Sequence, residues 1–307
     1  MTSDTRVDDL QVASHIDLAE IDALELVVLG RMKEFALGSH DSVFQGGGFD
    51  FVGLRDWQPG DRPSSIDWSE SIIKNFSPLV TREYEQESTA SIVLVADDSL
   101  STRCGAAGTS ISAIIVRVMA TVGLAGVFFQ DMVGLVTMNQ SCLRLFSYPH
   151  SGKDHLIHLL SLYQNSFSGR AKPLSESKGF SLSGFTRRRA VVPIISDFLF
   201  SGLDVFLDAV LAAKDNHDVF LVVVDSSFAF SLPGFSSGWF QGRDIETGEV
   251  RLFSNREVLK LPLMIEDHQN KVVDKARSRG IDALVVRQGH EHAGLSAFLE
   301  ARGKRRL

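Results

Sequence analysis

The chain has 307 residues, is 44% hydrophobic and 22% charged, and therefore has the size and composition of a globular protein with one large or two modest domains. Its net charge of −7 argues against a nucleic-acid partner, because a nucleic-acid-binding face is normally basic. Two cysteines are too few for a disulfide scaffold and predict a reducing compartment.

Targeting and membrane signals are weak in this sequence. Residues 1–20 carry several aspartates and lack the basic and then apolar pattern of a secretory signal. The most apolar stretch, 112–129, is broken by Arg117, and the run Val118–Phe129 after it is shorter than the about 20 residues that span a bilayer. We therefore expect a buried helix, no transmembrane segment and a cytoplasmic location.

The first part of the chain predicts a helix and then a small subdomain. Asp17 is a plausible N-cap for a helix that ends at Leu37, so residues 1–37 form a predicted helical segment. Glycines and turn residues dominate the following stretch, and residues 79–85 have the pattern of an extended strand. Residues 38–88 are therefore predicted to be a small β-rich subdomain.

From residue 89 to 307 the pattern alternates strands with helices. Continuous apolar runs predict strands that are buried on both faces of a sheet, at 91–96, 190–195, 219–224 and 281–286. Further strands are expected at 132–138 and 142–148, a hairpin within 238–252, and helices at 110–129, 154–163, 203–214, 267–279 and 292–301. This alternation predicts a doubly wound, mostly parallel α/β sheet.

Three of the predicted strands end in a short polar segment that contains both aspartate and serine. These ends are Asp97-Asp98-Ser99, Ser196-Asp197 and Asp225-Ser226. Open α/β sheets bind ligands at the carboxyl ends of their strands, and clustered oxygen ligands suit Mg²⁺ or Ca²⁺. The alternative is that these residues only cap the helices that follow them.

The spacing of these residues is similar to that of a known metal site. Asp97-x-Ser99-x-Ser101 after an apolar strand resembles the metal-ion-dependent adhesion site of von Willebrand factor A domains. Asp197 resembles the later acidic residue of that site. Asp98 has no matching role, and we expect it to be solvated.

Segments before and after the metal motif resemble the bacterial domain of unknown function 58 family. The signature is carried by Leu54–Asp61, Ile66–Trp68 and Thr81–Glu85, and its later pattern by Asp131–Val136 and Asp244–Glu249. That family carries a von Willebrand A-like domain and is often encoded beside MoxR-type AAA+ ATPases. The resemblance covers residues 38–300.

The resemblance implies a metal ion and a protein partner. Ser99 and Ser101 would coordinate the ion, Asp97 and Asp197 would balance its charge, and one open position would accept a carboxylate from the partner. Mg²⁺ is the expected ion, with Ca²⁺ and Mn²⁺ as alternatives. The adhesion site normally gains a threonine from a middle loop, but residues 165–174 contain none, so we expect weak metal binding by the isolated protein.

The upstream signature segment has two interpretations. Its charged and aromatic side chains form either an ordinary packed subdomain or a partner-docking surface beside the metal edge. The candidate docking residues are Arg55, Trp57, Asp61, Asp67, Trp68 and Arg82.

The resemblance implies a non-enzymatic interaction module, an adaptor or chaperone-type partner of a MoxR-type AAA+ ATPase. Two alternatives remain open. One is a metal-dependent phosphoesterase that uses the same acidic edge, and the other is a structural protein with a decayed metal site.

Overall fold

The computed structural model describes residues 18–37, 49–58, 66–86, 91–106, 108–139, 142–166, 172, 174–178, 180–182, 185–186, 189–231, 239–243 and 248–304. The helices in this part of the chain are α1 (Leu18–Leu37), α2 (Trp68–Ile73), α3 (Ile111–Phe128), α4 (Lys153–Ser166), α5 (Leu203–Lys214), α6 (Asn255–Ser278) and α7 (Glu291–Lys304). The strands are β1 (Phe49–Asp56), β2 (Val80–Gln86), β3 (Ser91–Asp97), β4 (Gly105–Ala106), β5 (Thr109–Ser110), β6 (Met132–Asn139), β7 (Cys142–His150), β8 (Ser175–Lys178), β9 (Ala190–Ser196), β10 (Asp218–Val224), β11 (Trp239–Arg243), β12 (Val250–Ser254) and β13 (Asp282–Val286).

The main sheet has seven strands in the order β13-β10-β9-β3-β6-β7-β8. β13, β10, β9, β3 and β6 pair in parallel, whereas β7 and β8 pair antiparallel at one end. The predicted doubly wound, mostly parallel α/β fold is therefore confirmed. β3 lies in the middle of the sheet, between β6 and β9. The chain passes from β3 to β6 on one side and returns to β9 on the other. The strand order reverses here, and such a reversal opens a crevice at the carboxyl ends of the strands.

Alternate side chains of the strands build two separate cores. Ile92 and Leu94 of β3 pack toward α1, α3, α4 and α7, while Val93 and Val95 pack toward α5 and α6. Successive strand residues point to opposite faces, so a strand that is apolar at every position must be covered on both sides. This explains why the parallel strands were visible in the sequence as uninterrupted apolar runs.

Helix α3 is long and apolar enough to cross a membrane, the one such helix in the described part of the chain. However, 83% of its apolar window is buried inside the fold, against the central sheet and the neighbouring helices. Gly123 lets α4 approach closely, because a Cβ there would lie 2.3 Å from the Leu156 side chain. The helix therefore packs as the core helix that the sequence predicted.

The start of α6 differs from the prediction. The sequence was interpreted as a helix over 267–279, but α6 begins at Asn255. Ser254 accepts a hydrogen bond from the Glu257 amide, and the Glu257 side chain accepts one from the Ser254 amide, which forms a capping box. This cap starts the helix early, and Pro262 is tolerated inside it. The predicted hairpin is confirmed as β11 paired with β12.

Within the predicted small subdomain, β1 pairs antiparallel with β2, and the short helix α2 lies between them in the chain. The predicted extended stretch 79–85 is confirmed by β2. The predicted N-cap Asp17 lies outside the described residues, and the division at residues 37 and 88 remains a prediction.

Candidate metal site at the carboxyl edge of the sheet

Asp97 and Asp197 lie at the carboxyl ends of neighbouring parallel strands. Ala96 of β3 is paired with Ile195 of β9, so the residues that follow both strands emerge at the same edge of the sheet. The Ser196 hydroxyl donates a 2.5 Å hydrogen bond to Oδ2 of Asp97, which ties the two strand ends together. This edge is also the point where the strand order reverses, and therefore the expected position for a ligand.

The loop after β3 is folded by its own polar side chains. Oδ1 of Asp97 accepts a hydrogen bond from the Ser99 amide at 2.9 Å, and the Ser99 carbonyl accepts one from the Thr102 hydroxyl at 2.7 Å. Such side-chain bonds to nearby backbone favour a turn over a continuing strand. They bring the Ser99 and Ser101 hydroxyl oxygens to 3.0 Å from each other. The three residues of the motif therefore form one preformed cluster.

Asp197 is fixed from two sides. Its Oδ1 accepts a hydrogen bond from the Leu199 amide at 3.1 Å, and its side chain is buried. Its backbone carbonyl accepts a 3.0 Å hydrogen bond from Nε2 of Gln269 on α6, which also donates to the Val224 carbonyl at 2.8 Å. Gln269 therefore clamps the ends of β9 and β10 onto α6. Sequence reasoning missed it, although a glutamine on the apolar stripe with Val272 and Ala276 was a visible signal.

Tyr163 is a second residue that the sequence interpretation missed. It is fully buried on α4, and its hydroxyl donates a 2.5 Å hydrogen bond to the backbone carbonyl of Asp97. Burial, and then the negative charge of Asp97 and Asp98, raise the pKa of the phenol well above its usual value. The phenol therefore remains a neutral donor that holds the end of β3.

The expectation that Asp98 is solvated is wrong. Its side chain is only 5% exposed, and Oδ2 accepts a 3.1 Å hydrogen bond from the Thr137 hydroxyl and lies 3.5 Å from Nη1 of Arg144. Burial raises the pKa of Asp98 to about 6, and the neighbouring Asp97 charge adds to this, while Arg144 and Thr137 oppose it. β6 and β7 supply these partners, so Asp98 ties the loop to the β6 side of β3. Asp97 ties the same loop to the β9 side through Ser196.

The buried Asp98 predicts a pH dependence of stability in the metal-free protein. Its pKa of about 6 in the folded chain lies above the ordinary 3.8, so the folded state binds the proton more tightly than the unfolded state. The stability that this proton provides is complete below about pH 4 and is lost as the pH rises through about 6. We expect Asp98→Asn to remove this loss, which amounts to about 2–3 kcal/mol between pH 4 and 7.

The measurement is urea unfolding in chelator at several pH values. Asp154→Asn, at an exposed position on α4, is the matched control, and its free energy of unfolding should change with pH as that of the wild type does. If the free energy of unfolding of Asp98→Asn also changes with pH as that of the wild type does, the pKa of Asp98 is not raised by burial.

The serine pair fits a small hard cation. Mg²⁺ holds oxygen ligands at about 2.0–2.1 Å in an octahedron, so adjacent ligands lie about 3 Å apart. The Ser99 and Ser101 hydroxyl oxygens already have this separation of 3.0 Å. Within the ranges that the structure describes, no group of three or more His, Cys, Asp or Glu side chains could hold a metal ion. Metal binding here therefore depends on the hydroxyl oxygens, and the role of the four predicted ligands remains a prediction.

Two serines, Ser166 and Ser168, lie in the stretch 165–174, where the adhesion site normally has its threonine. Ser166 ends α4, and its hydroxyl donates a 2.6 Å hydrogen bond to the Tyr163 carbonyl. Ser168 lies outside the described residues. The expectation of weak metal binding by the isolated protein therefore stands as a prediction.

The predicted docking residues of the small subdomain have different environments. Asp67 is buried and N-caps α2, since its Oδ1 accepts hydrogen bonds from the Ser69 and Glu70 amides. Trp57 is half-buried, whereas Trp68 is exposed. Arg55 and Arg82 belong to the paired strands β1 and β2, and Asp61 lies outside the described residues. Asp67 thus caps α2, Trp68 is exposed, and the docking role of these residues remains a prediction.

Comparisons with known proteins place this chain in a family. None of the curated proteins matches it. Two solved structures with 14% identity and a TM-score of 0.41 are the conserved hypothetical protein BatB from Bacteroides thetaiotaomicron and an aerotolerance-related membrane protein from Bacteroides fragilis with multiple mutations to serines. Each match covers 70% of this chain and 99% of the other.

A mutant of the PilB minor pilin from Streptococcus sanguinis has 11% identity and a TM-score of 0.33, over 74% of this chain and 64% of the other. Likenesses at these TM-scores carry no argument about function. The family match is much stronger, because it covers residues 53–266, which is more than two thirds of the chain. The chain therefore belongs to the family described as protein of unknown function DUF58.

Proposed function

We propose that this protein is a non-enzymatic, cytoplasmic interaction module that binds a partner protein through a metal ion. Ser99 and Ser101 hold Mg²⁺ through their hydroxyl oxygens, and Asp97 and Asp197 supply the negative charge beside it. The bound ion offers one open position to a carboxylate oxygen of the partner. The partner that we propose is a MoxR-type AAA+ ATPase, because the family resemblance associates such ATPases with chains of this kind.

The observation that carries this proposal is the preformed serine pair beside a locked carboxylate. Asp97 is fixed by the Ser99 amide and the Ser196 hydroxyl, so its charge cannot swing away from the site. Ordering a loop on binding costs conformational entropy, and a loop that is already ordered avoids most of this cost. The arrangement supports a cation site better than it supports two helix caps, because Ser99 makes no side-chain capping bond to the 3₁₀ turn Leu100–Arg103 that follows it.

The phosphoesterase alternative requires a general base close to the reacting atoms. The hydroxyls of Ser99 and Ser101 contact each other, and no contact with a histidine or lysine is found for them within the described residues. We therefore expect no Mg²⁺-dependent turnover of para-nitrophenyl phosphate. Turnover that is lost in Ser101→Ala would favour the hydrolase instead.

The proposal is tested by calorimetry with a MoxR-type ATPase, in Mg²⁺ and in chelator. The ATPase itself needs Mg²⁺ for its nucleotide, so the decisive comparison uses constant Mg²⁺ and Ser101→Ala. We expect this variant to weaken binding at least tenfold, because it removes one of the two hydroxyl ligands. Ser278→Ala, at an exposed position at the end of α6, is the matched control and should bind like the wild type. Equal binding by Ser101→Ala would refute the metal-dependent mechanism.

A further inference from the structure

A set of large apolar side chains is exposed on the β11–β12 hairpin and the first half of α6. Each is between 49% and 72% exposed. We call this set the hairpin–helix surface, and its members are Trp239, Val250, Leu252, Leu259, Leu263 and Met264. Single exposed apolar residues are ordinary, but six of them on elements that pack against each other are a candidate interaction site.

The hairpin–helix surface lies at the same edge of the sheet as the candidate metal site. Gln269 contacts the carbonyls of Asp197 and Val224, so this point of α6 is level with the carboxyl ends of β9 and β10. Leu259 lies ten residues earlier, about 15 Å along the helix, and therefore beyond that edge. Both hairpin strands pack against α6. The surface thus extends outward from the metal site.

Basic side chains accompany the apolar ones. Arg243, Arg256 and Lys260 are exposed and have no ion-pair partner within the described residues. The acidic neighbours on α6 are already engaged, since Glu257 contacts Ser254 and Arg251. Farther along the same helix, Glu266 pairs with Arg287 and Asp267 pairs with Lys271. In a protein with a net charge of −7, three unpaired cations beside an apolar surface complement an acidic ligand.

We propose that the hairpin–helix surface docks an acidic amphipathic segment of the partner protein. The apolar face of that segment covers Leu252, Leu259 and Leu263, and its carboxylates pair with Arg256 and Lys260. A carboxylate at one end of the segment reaches the metal ion. This inference rests on the proposed function, because the surface and the metal site are two parts of one docking site.

The probe is a fluorescein-labelled 18-residue peptide with leucines at helical i, i+3, i+4 and i+7 spacing and glutamates elsewhere. Two reference peptides replace the glutamates with lysines or the leucines with serines. Binding is measured by fluorescence anisotropy to the full chain in Mg²⁺. We expect the acidic amphipathic peptide to bind at least tenfold more tightly than either reference peptide.

Two variants test the surface without disturbing the core, because their positions are exposed. Leu259→Ser/Leu263→Ser and Arg256→Glu/Lys260→Glu should each weaken binding of the acidic peptide at least tenfold, with an unchanged urea unfolding curve. The matched controls are Leu26→Ser, at a 74% exposed leucine on α1, and Lys172→Glu. Leu26→Ser should bind the peptide like the wild type because α1 covers the opposite face of the sheet. Lys172→Glu should do so because Lys172 precedes β8, at the other end of the sheet from β10 and β13, which α6 contacts.

The outcomes separate this inference from the proposed function. If Asp97→Asn binds the peptide as the wild type does but the surface variants do not, the surface is supported and the metal mechanism fails. If the surface variants bind as the wild type does, the surface is refuted whatever the metal does. Binding to phosphatidylserine vesicles that the surface variants lose, or a dimer in sedimentation that they dissolve, would also overturn the proposal, since each identifies a different occupant.

Discussion

Replacing Arg302 with alanine should destabilise the protein by about 3–5 kcal/mol. The Arg302 side chain is 5% exposed on α7, and it donates a 2.5 Å hydrogen bond to Asp218 and a 2.8 Å hydrogen bond to Asp282. It also lies over the Phe220 ring, 4.6 Å from the centroid. Removing the guanidinium takes a charged partner from the buried Asp218 carboxylate, and breaking a buried ion pair by removing one side is strongly destabilising.

The measurement is the free energy of unfolding in urea. Arg279→Ala is the matched control, because Arg279 pairs with Asp204 and Asp208, which are both well exposed. Solvent and salt screen such a pair, so we expect a much smaller loss of stability that shrinks further in high salt. Since Asp218 and Asp282 begin their strands, the Arg302 cluster lies at the amino edge, and Mg²⁺ binding should not change. A loss in Arg302→Ala as small as that in the control would show that the buried cluster is not important for stability.

The Arg302 cluster also shows where sequence reasoning ends. The parallel strands were predictable because both of their faces are buried, and this leaves uninterrupted apolar runs such as 219–224. The last helix, α7, was predicted to end at residue 301, one residue before Arg302, which joins it to β10 and β13. The partners of Arg302 lie 20 and 84 positions away, and no local pattern connects them.

The candidate site divides in the same way. Asp97, Ser99 and Ser101 form a local motif, and parallel strands place Asp197 at the same edge without any knowledge of the loops. The residues that hold this motif in position come from distant elements. Tyr163 reaches β3 from α4 and Gln269 reaches β9 from α6, and their polar groups were hidden within apolar helix faces.

Asp98 was misjudged for a related reason. A charged residue next to a turn is usually solvated, and only the antiparallel strand β7 brings Arg144 beside it. Likewise, α6 was predicted to start at residue 267, although Ser254 and Glu257 upstream have the spacing of a capping box, and the helix continues through Pro262. The error concealed the exposed first half of α6, and with it the hairpin–helix surface.

Asp97→Asn should abolish the dependence of partner binding on Mg²⁺ and change the stability little. Asparagine can still accept a hydrogen bond from the Ser99 amide, and its amide group can donate to the Ser196 hydroxyl, so the turn is preserved. The charge that balances the ion is lost. With nucleotide-free ATPase, which needs no Mg²⁺ of its own, partner affinity in Mg²⁺ should fall to the value that the wild type has in chelator.

Asp97→Ala is the informative contrast. It removes the same charge but also leaves the buried Ser99 amide and Ser196 hydroxyl without their acceptor, which costs about 1–3 kcal/mol. Part of this cost is offset in the metal-free protein, because the Asp97 charge no longer raises the pKa of Asp98. Both variants should therefore lose the metal response equally, while only Asp97→Ala unfolds at distinctly lower urea.

Calorimetry and urea unfolding on the same preparations distinguish these effects. Because metal and partner share one site, each should tighten the binding of the other by the same factor in the wild type, and that factor should be one in both variants. If Asp97→Asn keeps the wild-type factor, Asp97 does not balance an ion, and its two hydrogen bonds serve only to fold the loop. The mutual tightening of metal and partner binding could instead be lost in Asp97→Ala and kept in Asp97→Asn. That outcome would assign the effect to loop geometry, because only the alanine removes the acceptors that hold Ser99 and Ser196 in place.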